Sequence, residues 1–134
     1  MAIVADRLSK LAAAAKAASE SAYSPYSNFS VGAAILTRDG EIFLGCNVEN
    51  ASFGLTICAE RNAVFQAVAR GQREIDAVAI YTSTPTPTAP CGACRQVLYE
   101  FGPDAQVYCT CDGKDVIHST VSDLLPGAFR PEDV

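Results

Sequence analysis

Gln106-Val107-Tyr108-Cys109-Thr110-Cys111-Asp112-Gly113-Lys114-Asp115-Val116-Ile117-His118-Ser119 decides the topology of this chain. Gln106 to Cys111 reads as a strand, Asp112-Gly113 as a tight turn, and Val116 to Ser119 as a further strand. Only about four residues, Asp112 to Asp115, join the two, and a parallel pairing would need a crossover of a dozen or more. The last two strands are therefore expected to be antiparallel, with no helix inserted between them.

Working outward, Cys91 to Phe101 reads as a helix ended by Gly102-Pro103, after a buried strand Ala77 to Ser83 and a Pro- and Thr-rich loop 84–90. Cys58 to Arg70 reads as a helix stopped by Gly71, after a loop over 50–57. Ser30 to Thr37 and Ile42 to Glu49 form a hairpin around Arg38-Asp39-Gly40. Leu8, Leu11, Ala12, Ala15, Ala18 and Ala22 recur at helical spacing, predicting an amphipathic helix over about 5–22 that Ser24-Pro25-Tyr26-Ser27 breaks. A short helix near 121–125 leads into Pro126-Gly127. The order α-β-β-α-β-α-β-β-α predicts an α/β fold, a three-layer α/β/α sandwich around a five-stranded mixed sheet.

At 134 residues the chain is expected to be a single domain over 1–134, with no repeat, linker or low-complexity segment. The hydrophobic fraction of 49% and charged fraction of 19% suit a soluble globular protein, and no apolar run is long enough to cross a bilayer. Asp6, Arg7 and Lys10 interrupt what would be the apolar core of a signal peptide, so a cytoplasmic protein is expected. Net charge is −5, the sequence pI is about 4.7, and Lys and Arg are scattered singly. That argues against a polynucleotide partner, whose binding draws on counterion release at a basic stripe. A small, uncharged substrate fits better. Six cysteines in a chain read as cytosolic point to metal binding or burial rather than disulfides.

Cys58-Ala59-Glu60 and Pro90-Cys91-Gly92-Ala93-Cys94 carry the chemistry. Cys91 and Cys94, at i and i+3 in a first helical turn, can face one ion, and Cys58 must arrive from a separate helix 33 positions earlier. Catalytic zinc takes three protein ligands and keeps a fourth position for water. Both ligand segments begin helices, whose N-termini stabilise thiolate charge. Glu60, two residues past the first ligand, is placed to move protons at that water. The spacing resembles the zinc-dependent base deaminase signature: His or Cys, one residue, Glu, then Pro-Cys-x-x-Cys. One Zn²⁺ per chain is expected. Three thiolates and Zn²⁺ sum to −1, so a positive group must offset the surplus if the water is to ionise near neutrality. Arg61 and Arg95 flank the ligands, and Arg61 is favoured as the compensator, hydrogen-bonding ligand sulfur. Cys46, Cys109 and Cys111 are read as small buried hydrophobes. His118, the only histidine, occupies no ligand position and is read as structural or surface.

Further phrases resemble the small homotetrameric cytidine deaminases. These are Ser24-Pro25-Tyr26-Ser27-Asn28-Phe29, Val31-Gly32-Ala33-Ala34, Gly45-Cys46-Asn47-Val48-Glu49-Asn50-Ala51, Cys58-Ala59-Glu60-Arg61, Pro90 to Val97 and Leu124 to Phe129. The resemblance implies hydrolytic deamination of cytidine and 2′-deoxycytidine to the uridine nucleosides plus ammonia, in pyrimidine salvage. Zinc-bound hydroxide would attack C4, with Glu60 as proton shuttle. The resemblance further implies that Asn47 and Glu49 bind the ribose hydroxyls, that Phe29 stacks on the base, and that the Ala59 N–H holds the pyrimidine carbonyl. The region of Ala89 and Pro90 would shape the ammonia pocket, and Phe53 and Phe129 would complete a neighbouring subunit's site. Many members carry tyrosine at the position of Phe53, so this chain lacks one intersubunit hydroxyl.

Four other readings compete. A deaminase of a related aminopyrimidine nucleoside, such as a blasticidin-type antibiotic, is disfavoured by the ribose-diol residues Asn47 and Glu49. RNA- or DNA-editing deaminases place a helix between their last two strands, against the Asp112-Gly113 turn. A zinc-stabilised binding module would leave Glu60 replaceable. A redox protein using Cys91 and Cys94 would leave Cys58-Ala59-Glu60 without a role.

Overall fold

The computed structural model describes residues 5–134, so the first four residues of the expected 1–134 domain lie outside the described residues. The helix α1 spans Ala5–Ser19, β1 Val31–Thr37, β2 Ile42–Cys46, α2 Ala59–Ala69, β3 Ile75–Thr82, α3 Gly92–Phe101, β4 Gln106–Thr110, β5 Ile117–Thr120 and α4 Val121–Leu124. They form one five-stranded sheet in the order β2-β1-β3-β4-β5. The β3–β4 pair is parallel, with α3 as its crossover, and β4–β5 is antiparallel, as the short Asp112–Asp115 link requires.

Helices cover both faces of the sheet. On one side Leu8, Leu11 and Ala15 of α1 pack on Ala34, Leu36, Ala77, Ala79 and Tyr81. On the other, Ala59, Ala63 and Val64 of α2, Leu98 of α3 and Val121 of α4 pack on Ala33, Ile35, Val78, Ile80, Val107 and Cys109. The alternation of strand residues between these two cores follows from the two-residue period of a strand. Two glycines permit close helix contact. A Cβ on Gly32 would lie 1.9 Å from the Ala15 carbonyl oxygen in α1, and one on Gly45 would lie 2.4 Å from that of Ala59 in α2.

Several boundaries differ from expectation. The first helix ends at Ser19 rather than near residue 22, because the chain tightens into three-residue turns (Glu20 N–H to Ala17 O, Ser21 N–H to Ala18 O). The second strand stops at Cys46 because the chain changes partners: Val48 bridges Tyr23 on one side and Ile57 on the other. Cys111 lies beyond β4 and is only half-buried, while Cys109 is fully buried, so the two do not share a strand face as small buried hydrophobes. Among the described residues, no helix is long and apolar enough to cross a membrane.

Candidate active site

The thiols converge because each begins or flanks a helix at the same end of the sheet. Cys58 is the N-cap of α2 and Cys91 the N-cap of α3, both with extended backbone, while Cys94 sits one turn into α3. Their sulfurs all lie within 4.8 Å of one another, and among the described residues theirs is the His, Cys and carboxylate cluster fit for a metal. Tetrahedral zinc–sulfur bonds of about 2.3 Å place two sulfurs about 3.8 Å apart. Cys58 Sγ and Cys91 Sγ are 3.8 Å apart. The donor set fits zinc in chemistry as well, since soft thiolates select it.

Charge is distributed to match. Cys94 hydrogen-bonds Cys58 and draws its thiol down to about 5, against burial and with help from Arg61 and Cys91. Cys94, as the donor to that thiolate, is pushed up. Three sulfurs this close ionise together only around a cation. Arg61 Nη2 donates to Cys58 Sγ at 3.4 Å, and Arg61 Nε is buried with no hydrogen-bond partner among the described residues. Arg95 turns elsewhere: its Nε donates to Pro90 O at 2.7 Å and its Nη1 to Leu124 O at 2.8 Å. It ties the loop before α3 to the end of α4.

A cleft of about 320 Å³ opens beside the thiols, lined among others by Phe29, Asn47, Glu49, Ala59, Glu60 and Ala89. Glu60 is 5% exposed, and burial, with the Cys58 thiolate adding to it, pushes its carboxyl up to about 7. A dication at the thiols opposes that shift. Ala59, wholly buried as the first residue of α2, has an N–H with no intrahelical acceptor. Asn47 is buried, and its side chain grips the far wall: Oδ1 accepts from Val31 N–H at 2.9 Å and Nδ2 donates to Phe29 O at 2.7 Å. Glu49 accepts from the N–H groups of Tyr26 and Ser27. Phe53 and Phe129 stand apart from the cleft, 72% and 62% exposed, with Phe53 edge-on to Tyr26 at 5.7 Å. His118 is exposed on β5 and hydrogen-bonded to Gln106. Ser27, Thr56, Thr82 and Thr88 also line the cleft, and no local pattern in the sequence marks them. They meet only through the fold.

Three thiols poised for one metal, with a buried carboxyl two residues past the first, define the class as the zinc-dependent deaminases. The chain belongs to the family described as the cytidine and deoxycytidylate deaminase zinc-binding region, whose model matches residues 5–110. It is 52% identical over 118 residues to a cytidine deaminase of Halalkalibacterium halodurans, covering 87% of this chain and 89% of the relative. It superposes on the crystal structure of a cytidine deaminase from Burkholderia pseudomallei with a TM-score of 0.87, at 55% identity, covering 90% of this chain and 98% of that one. A blasticidin-S deaminase of Bacillus cereus is more distant, 32% identical over 104 residues, 72% of this chain and 74% of the relative.

Proposed function

We propose that this chain hydrolyses cytidine and 2′-deoxycytidine to uridine and 2′-deoxyuridine, releasing ammonia. The observation that carries the reading is the cleft itself. Cys58, Cys91 and Glu60 line it together with the polar groups of Asn47 and Glu49, and no Lys or Arg is among its lining residues. A phosphate would find no Lys or Arg among the lining residues and would meet the Glu49 carboxylate, so the substrate class is the free nucleoside rather than the nucleotide. The size of the cleft suits one such ligand.

In this reading, Cys58, Cys91 and Cys94 would hold one zinc ion, which would supply the Lewis acidity that makes water a nucleophile near neutral pH. Glu60 would carry one proton of the water to N3 of the pyrimidine as the oxygen bonds to C4, then carry the remaining hydroxyl proton to the C4 amine as the C4–N bond breaks and ammonia leaves. Burial raises the Glu60 carboxyl and a dication at the thiols would lower it, so the two act in opposite directions on the group that accepts and donates the proton. The Ala59 N–H orients the pyrimidine carbonyl, Phe29 stacks on the ring, and Asn47 and Glu49 hold the sugar. Arg61 offsets the thiolate charge through its hydrogen bond to Cys58.

The finer reading is a homotetrameric enzyme of pyrimidine salvage in the cytoplasm, built on one domain. Leu44, Val48 and Phe65 are exposed around a groove of about 620 Å³ between β2 and α2, a face suited to another copy. Exposed Phe53 and Phe129 would then complete a neighbour's cleft. Thiolate ligands call for a reducing compartment. The test is ultraviolet-monitored turnover of cytidine, deoxycytidine and cytidine monophosphate by zinc-assayed protein, with the mass of the assembly from light scattering. Turnover of both nucleosides, lost about 10²–10⁴-fold in Glu60→Gln with zinc retained, is the expected result. Turnover of the monophosphate alone would overturn the substrate assignment, and a monomeric mass would overturn the tetramer.

A further inference from the structure

Glu49 and Phe29 reach the cleft from different segments, and one side chain touches both. Ser27 Oγ donates to Glu49 Oε2 and accepts from the Phe29 N–H at 3.0 Å. The polarity is forced: an amide N–H only donates, so the hydroxyl hydrogen is left for the carboxylate, which when ionised only accepts. The Tyr26 and Ser27 N–H groups both donate to Glu49 Oε1, at 2.9 and 3.2 Å. A carboxylate offers about four acceptor sites, two per oxygen. Oε1 is therefore filled and Oε2 keeps a single free site.

The segment between the two contacts is held in a costly conformation. Asn28 has φ +57°, in the left-handed region that non-glycine residues seldom adopt. Its N–H donates to Ser24 O at 3.0 Å, and the Ser24 and Ser30 hydroxyls meet at 3.1 Å. Such backbone persists where surrounding contacts over-determine it. Asn47 closes the far side by binding Phe29 O and Val31 N–H.

We propose that Ser27 is a positioning residue for the sugar of the substrate, presenting Glu49 with one acceptor free and fixing that acceptor relative to the ring of Phe29. The inference rests on the nucleoside deaminase reading above. The Glu49 carboxyl is held below its usual range, with the Ser27 hydroxyl as the largest cause, which agrees with an acceptor kept ionised.

The test compares cytidine with 2′,3′-dideoxycytidine, which keeps the base and lacks the hydroxyls Glu49 would accept from. Loss of one charge-assisted hydrogen bond in Ser27→Ala raises the KM for cytidine about tenfold and leaves kcat within about threefold. The inhibition constant of dideoxycytidine against cytidine turnover stays unchanged, and Ser27→Thr, which keeps the hydroxyl, restores the KM. Equal weakening toward both ligands would reduce Ser27 to a structural residue and overturn the proposal, as would a KM that does not move. Wild-type protein inactive on cytidine would instead overturn the deaminase reading and this inference with it. Should Ser27→Ala fail to fold, the same comparison is made with Ser27→Cys, a weaker donor of similar size, and the same outcomes decide.

Discussion

Gly45→Ala tests how tightly the position of the catalytic helix is set by the sheet. A Cβ at residue 45 would stand 2.4 Å from Ala59 O, 2.5 Å from Ala63 N and 3.1 Å from Ala63 Cα, all backbone or near-backbone atoms that no rotamer change can move. Ordinary contact begins near 3.4 Å, so α2 must retreat by about 1 Å. Overpacking of this kind costs ~1–3 kcal/mol. The stiffer unfolded chain of alanine returns only ~0.4–1 kcal/mol. A net loss of ~1–2 kcal/mol should lower the melting temperature by roughly 3–8 °C, at about 3–4 °C per kcal/mol for a chain of this length. The same retreat carries Ala59 and Glu60 away from Cys91 and Cys94, and a misplacement of about 1 Å at reacting groups costs about 10²-fold in rate. The measurements are thermal unfolding by circular dichroism, zinc per chain, and kcat/KM for cytidine. Gly32→Ala is the comparison: its Cβ meets Ala15 O at 1.9 Å, but α1 carries no residue of the cleft. It should lose at least as much stability while zinc-loaded molecules keep kcat/KM within about threefold. A Gly45→Ala protein that melts within about 1 °C of wild type and keeps its turnover would refute the reasoning.

Chelation should lower the melting temperature, because a metal held only by the folded arrangement of Cys58, Cys91 and Cys94 stabilises that arrangement, and should free Cys91 for alkylation. Zinc should restore both and magnesium neither, and recovery with magnesium would rule out a thiolate site. Tyr81 donates to Asp112, which, with burial, raises its phenol from 10 to about 12. A folded value above the unfolded one gives stability that is whole below pH 10 and is lost as pH rises through 12. Urea unfolding of Tyr81→Phe should lack that alkaline component, and an unaltered pH dependence would show that Tyr81 does not supply it. Arg95→Ala should loosen the loop through Pro90 and the end of α4, seen as faster amide exchange at residues 84–90 and 124–126. Unchanged exchange there would mean the guanidinium does not hold them.

Much of the site was legible because its elements are local. Cys91 and Cys94 are neighbours on one helical turn, and Glu60 follows Cys58 at a helix start, so helix geometry alone aims them. Arg61 and Arg95 both flank ligands in the sequence, and the directions of the two side chains agree with Arg61 as the partner of sulfur. Ser27 was present in a quoted phrase without a role, because its partner Glu49 lies 22 residues away and no periodicity links a turn hydroxyl to a strand-end carboxylate. Cys111, read from the sequence as the last residue of a strand, lies past the end of the ladder at Thr110.

The sequence by itself determined the order of elements, the antiparallel last pair, and the chemical identity of the metal ligands. Each follows from short-range rules: chain length between strands, helix starts, and the donor preference of zinc. Only the tertiary structure decided which distant groups meet. Cys58 reaches Cys91 across 33 residues because α2 and α3 both pack on one face of the sheet and start at the same end. Asn47 and Glu49 grip the 26–31 segment because β2 leaves the sheet at Cys46 and Val48 pairs with Tyr23 and Ile57 instead. Those meetings depend on the simultaneous packing of several elements, whose free energies are collective and leave no mark at any single position.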